Sequence, residues 1–144
     1  MVSQSWRVEV FDDGNFARFY KQLNEAERAV TDAAIQYVLA PLGIDICANE
    51  WGKNLGQGLY ELRIRRDVET ILREYGPRGA SDEIPKRWRK KRVLIRVYCT
   101  FHGERIVLLL GGYNKLRGPS RKQEQREIQA ARAALAAWKR STMG

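Results

Sequence analysis

Between Val93 and Leu110 the chain alternates apolar and polar side chains in two segments separated by a few polar residues, and this pattern constrains the fold more than any other. Val93, Ile95, Val97, Cys99 and Phe101 alternate with Leu94, Arg96, Tyr98 and Thr100. A period of two sends successive side chains to opposite faces of a strand. His102-Gly103-Glu104 then supplies a tight turn onto Arg105-Ile106-Val107-Leu108-Leu109-Leu110, so the two segments read as a β-hairpin. A sheet built on this hairpin must bury at least one face, and the remaining chain has to cover it.

That cover is legible on both sides of the hairpin. From about Phe16 to Leu39, Ala26, Val30, Ala33, Ala34, Tyr37 and Val38 recur at helical spacing, while Glu25, Glu27, Arg28 and Asp32 lie off the stripe. The pattern predicts one helix, or two broken near Asn24, stopped by Pro41 and Gly43. At the other end Pro119 and Ser120, with Gln123 three residues on, form a capping signature before Ile128, Ala131, Leu135 and Trp138, which predicts an amphipathic C-terminal helix.

Two further strands are expected. Trp6 to Phe11 alternates and ends at the turn sequence Asp12-Asp13-Gly14-Asn15. After the polar, glycine-rich stretch Asn49 to Gly58, Tyr60, Leu62 and Ile64 share one face and Glu61, Arg63 and Arg65 the other. Gly56-Gln57-Gly58 and Gly111-Gly112 read as turns, the latter ending the last strand. Residues of about 66–92 form an excursion between two strands, with a short helical look at Val68 to Leu72 and a closing basic run Lys86-Arg87-Trp88-Arg89-Lys90-Lys91-Arg92. An insertion this long is expected to be functional or mobile rather than scaffold. The element order implies a single α+β domain over residues 1–144: a small, mainly antiparallel sheet with helices packed against one face.

Charge then narrows the partner class. The net charge is +9, yet residues 1–50 carry 4 Lys/Arg against 8 Asp/Glu, and the rest carries 22 against 9. So uneven a field attracts polyanions by neutralising phosphates and releasing counterions, which makes nucleic acid the leading partner. No stretch of about twenty apolar residues is evident and the N-terminus lacks the order of a signal peptide, so a cytoplasmic protein without membrane association is expected. Cys47 and Cys99 lack metal-ligand spacing and the chain has one histidine, so neither a metal nor any other cofactor is expected.

If the apolar sets of the two central strands face the helices, Arg63, Arg65, Arg96 and Tyr98 share the opposite face, and Tyr113 and Lys115 rim it at the exit of the next strand. Guanidinium forks bind the non-bridging oxygens of a phosphodiester and stabilise the charge that grows in its transition state, and aromatic rings can stack on splayed bases. A charged strand face is more often simply solvated. His102, at the hairpin tip, is a candidate acid or base that lies apart from this cluster. The run Lys86, Arg87, Arg89, Lys90, Lys91 and Arg92 could clamp RNA or be a solvated linker.

Gly58-Leu59-Tyr60-Glu61-Leu62-Arg63, preceded by Lys53 and followed by Ile95-Arg96-Val97-Tyr98, Arg105 to Leu109, Lys115 and the final Gln125 to Ala131 helix, resembles the HigB branch, phage-derived members included, of the RelE/ParE toxin superfamily. The likeness covers most of residues 6–140 outside 66–92. It implies a RelE-like α+β fold, with N-terminal helices on one face and a C-terminal helix. It also implies a type II toxin that cleaves mRNA on the ribosome without metal, by attack of the RNA 2′-hydroxyl on the adjacent phosphate, and that a helix-turn-helix antitoxin neutralises. Carried over residue by residue, Arg63 matches a basic active-site position, Arg96 the arginine that binds the scissile phosphate, and Lys115 the basic residue after the last strand; Tyr113 is an additional catalytic candidate and Lys53 an RNA-binding one. Glu61 departs from the pattern, which has a lysine there, and leaves the general base open. The alternative is a non-catalytic, ParE-like inhibitor of a topoisomerase or a phage nucleic-acid-binding module, since fold alone does not decide function.

Overall fold

A computed structural model describes residues 5–143; Met1 to Gln4, part of the N-terminal stretch read above, and Gly144 lie outside the described residues. The chain is α+β, with a five-stranded mixed sheet in the order β1 (Arg7–Val10), β5 (Ile106–Asn114), β4 (Ile95–His102), β3 (Leu59–Ile64), β2 (Gly52–Gly56). Only β1 and β5 run parallel; β2, β3, β4 and β5 are successively antiparallel. The expected hairpin is β4–β5.

α1 (Asn15–Lys21) and α2 (Glu25–Ala34) cover one face, separated as expected at Asn24. Asn24 accepts a hydrogen bond from the Glu27 amide while the Glu27 carboxylate accepts one from the Asn24 amide, a reciprocal cap that fixes where α2 begins. α2 continues through a π-helical segment (Ile35–Leu39) and a last turn (Ala40–Leu42) to Gly43, whose φ of 56° stops it where expected; a 3-10 stretch (Gly43–Ala48) then carries the helical run Glu25–Ala48 to its end. By length and composition alone that run is apolar enough for a membrane span, contrary to the sequence reading. Its first third carries Glu25, Glu27, Arg28 and Asp32, and its apolar side, with Val30, Ala34, Val38 and Leu39, is buried in the main core against Leu62, Ile64, Ile95, Val97 and Leu109.

The second face is not open. α4 (Arg121–Met143) packs across it, with Ala131, Ala134 and Leu135 against Leu59, Tyr98, Leu108, Leu110 and Tyr113. The expectation of helices on one face only is therefore corrected: the C-terminal helix builds a second, smaller core. Gly111 and Gly112 do not turn the chain but lie inside β5, where Gly112 abuts the Phe19 ring and Gly111 the Asn15 amide. Asn15 donates to the Leu110 carbonyl at 2.7 Å, satisfying the β5 edge beyond the end of β1. The polar stretch before β3 contains an unexpected strand, β2, joined to β3 through Gln57 and Gly58, both at positive φ.

The insertion is built into the molecule rather than hung from it. α3 (Val68–Tyr75) starts at Asp67, whose carboxylate accepts from the Thr70 amide, and Val68, Ile71 and Ile84 join the main core. Its basic end is tied to the helices by Arg87–Glu25 and Arg89–Glu69 ion pairs of 3.0 and 3.3 Å. The excursion is thus partly scaffold.

Candidate active site

Strand pairing assembles two rungs on the face beneath α4. In one, Lys53, Glu61, Tyr98 and Gly111 stand side by side across β2, β3, β4 and β5; in the next, Arg63, Arg96 and Tyr113 do. Arg63 and Arg96 are direct cross-strand partners. Two guanidiniums this close would repel, and the Glu61 carboxylate sits between them: Oε2 is 3.5 Å from Arg63 Nε and Oε1 3.6 Å from Arg96 Nε. Both Nε atoms are buried without a hydrogen-bond partner among the described residues, so the three groups interact by charge through loose contacts.

Burial divides the cluster. The side chains of Glu61 and Arg96 are 4% exposed, whereas Arg63 is 28% and Lys115 38% exposed. Loss of water pushes the Glu61 carboxyl above its ordinary value, and the opposing pull of Arg96 and Arg63 does not cancel it. The same burial lowers the Arg96 pKa against the attraction of Glu61. Tyr98 is fully buried, its hydroxyl lacks a partner among the described residues, and its pKa is raised by burial and then by the neighbouring Glu61 and Glu124 charges. Tyr113 is buried as well and donates to the Ser120 carbonyl at 3.2 Å. Both phenols stay protonated at neutral pH.

The roof explains the burial. Glu124, in the first turn of α4, reaches Lys115 Nζ at 3.8 Å, and its charge acts on Glu61, Arg96, Tyr98 and Tyr113. An acidic side chain therefore stands at the mouth of a cationic cluster.

The structure thus brings Arg63, Arg96, Tyr113, Lys115, Lys53 and Tyr98 to one face, with Arg65 exposed just past the end of β3. Tyr98 cannot stack on a base as expected, because Leu108, Leu110 and α4 enclose it. Arg96 points away from the main core, yet into the second core rather than into solvent. The run Lys86 to Arg92 lies on the insertion, outside the cluster itself, and its Arg87 and Arg89 are held by carboxylates. His102 ends β4 away from the cluster, its ring 4.5 Å from that of Trp138. The sequence places Glu61 on the face of Arg63 but gives it no role beyond a departure from the family pattern, and Glu124 is marked by nothing local. No protein-family model, curated protein or solved structure matches this chain.

Proposed function

We propose that this protein is a metal-independent endoribonuclease of the toxin class, acting in the cytoplasm on mRNA at the ribosome and held in check by a helix-turn-helix antitoxin. The observation that carries the reading is the Glu61 carboxylate between Arg63 and Arg96, on a sheet face rimmed by Lys115. A carboxyl with a raised pKa beside two fixed guanidiniums suits proton abstraction from a hydroxyl next to a phosphate. Glu61 takes the 2′-hydroxyl proton, the 2′-oxygen forms its bond to phosphorus, and the bond from phosphorus to the 5′-oxygen breaks, with water protonating the leaving oxygen. Arg63 and Lys115, the less buried cations, meet the non-bridging oxygens, and Arg96 holds Glu61 from below. The phosphate takes the place of the Glu124 carboxylate at Lys115, which requires the first turn of α4 to yield.

One observation favours a second reading. Glu61 and Arg96 lie under α4, and a roofed cluster also suits a protein that binds without cutting, such as an inhibitor of a topoisomerase. Induced expression without an antitoxin separates the two. Growth arrest with new 5′ ends in translated messages, absent for Arg63→Ala, is the expected result; arrest with intact mRNA and lost supercoiling would replace the nuclease by the inhibitor.

A further inference from the structure

A groove of about 540 Å³ lies between the first turn of α2, the end of the insertion and the segment leaving β5. Its walls include Trp88, Lys91, Arg92, Leu116 and Arg117, together with Glu25 and Glu27. Its size suits one small organic group.

The acids of this groove are already occupied. Glu25 Oε2 accepts from Arg87 Nη2 at 3.0 Å and from Trp88 Nε1 at 3.3 Å. Glu27 accepts from the Asn24 amide, from Arg117 Nη2 at 2.9 Å and from Asn114 Nδ2 at 2.9 Å. Lys91 and Arg92, by contrast, are exposed and have no carboxylate partner among the described residues. Beside them Leu116 is 40% exposed, an apolar side chain left open next to the half-buried Trp88 ring. Lys90 precedes them with φ of 58°, a left-handed conformation that lysine rarely adopts and that no buried packing repays, since the residue is exposed.

The Trp88 ring, with the Arg87 guanidinium 5.6 Å from its centre, and Leu116 beside two unneutralised cations fit a base with its phosphate. An aromatic ring serves as a platform for any base, and lysine and arginine track the anionic backbone. The groove also adjoins the candidate active site along the chain, because Leu116 follows Lys115 directly. We infer that this groove is a nucleotide subsite for single-stranded RNA, seating a base against Trp88 and Leu116 and its phosphate on Lys91 and Arg92. The inference rests on the RNA reading above and adds to it where a nucleotide next to the scissile one is held.

The test uses the full chain and a fluorescein-labelled octanucleotide with 2′-O-methyl groups, which binds but lacks the attacking hydroxyl. Wild type should bind it with quenching of tryptophan emission. Lys91→Ala with Arg92→Ala should weaken binding about tenfold or more through loss of two phosphate contacts, and Trp88→Phe should remove most of the quenching. Leu116→Glu should also weaken binding. If wild type binds the oligonucleotide and all of these variants match it, the groove is overturned while RNA binding stands. Displacement of the oligonucleotide from the groove by a low concentration of an acidic peptide would overturn the occupant in favour of a protein partner. Binding through the groove in a chain that cleaves no message would keep this inference and remove the nuclease reading; no binding by wild type would overturn both.

Discussion

Glu61 and Arg96 exclude water from one another, and the balance between their attraction and their lost hydration sets what each substitution does. Arg96→Ala leaves a buried carboxylate short of a partner, a change that typically costs about 3–5 kcal/mol. Arg63 is more exposed and has no hydrogen bond to lose, so Arg63→Ala should leave the melting temperature within a few degrees of wild type. Cleavage by Arg63→Ala should nonetheless fall by a factor of about a hundred to a thousand if its guanidinium stabilises the transition state. Thermal melting and cleavage in a translating extract distinguish the pair; equal melting for Arg96→Ala and wild type would contradict the ion pair. Glu61 adds a signature in pH. Its pKa is raised in the folded chain above the ordinary 4.5, so the folded state binds this proton more tightly than the unfolded state does. Its contribution to stability is then full below the ordinary value and declines as pH rises through the folded pKa. Denaturant unfolding across pH 4 to 8 should show that decline, and Glu61→Gln should flatten it. A Glu61→Gln profile parallel to wild type would remove the raised pKa and the case for a base.

At the scale of elements, the cluster is governed by α4. Its first turn places Glu124 against Lys115, and removing that carboxylate should free the cation for phosphate while breaking only a half-exposed pair. Glu124→Ala should bind single-stranded RNA severalfold more tightly with little loss of stability, since such pairs are worth about 0–1 kcal/mol; weaker binding in a fluorescence titration would mean that Glu124 orders the site instead of blocking it. The roof itself was partly legible in the sequence. Ile106 to Leu110 is continuously apolar, and a strand buried on both faces reads that way, whereas a strand with one wet face alternates. The alternation of β4, with Arg96 in its polar set, points instead to one wet face, and only the packing of α4 buries Arg96. β2 was illegible for a different reason: Gly52-Lys53-Asn54-Leu55-Gly56 has neither alternation nor β-branched residues, and its strand conformation comes from pairing with β3. Gly111 and Gly112 misled in the same way, because their lack of side chains serves close approach by Asn15 and Phe19 and not a turn. The helix break at Asn24 and the register of Arg63 with Arg96 were legible, since a cap and a period of two are local rules.

Across the whole molecule, charge and architecture are divided together. The acidic first fifty residues supply β1 and the helices of one face, while the basic remainder supplies the other four strands, the insertion and α4. Acidic side chains from the first half, Glu25 and Glu27, then neutralise Arg87 and Arg117 of the second, which lowers the number of cations free for a ligand well below the formal excess. Four cations at one end of the sheet, half-buried Arg63 and Lys115 and exposed Lys91 and Arg92, lack a firm partner or hold one only loosely. If each meets one phosphate of a single strand, the logarithm of the binding constant should fall with the logarithm of salt concentration with a slope of about −3, at roughly 0.7 per phosphate. The formal net charge overstates this footprint, because a slope near −6 would need about nine phosphates. Anisotropy of a labelled octanucleotide between 50 and 300 mM salt, conditions on the order of a Debye length of 6–14 Å, measures the slope directly. Removing Lys91 and Arg92 together should bring it to about −1.4. A slope unaffected by that double substitution, yet still near −3, would move the phosphate contacts to the outer face of α4, where Arg121, Lys122 and Arg126 are exposed, and the RNA would then run along the helix and not across the sheet end.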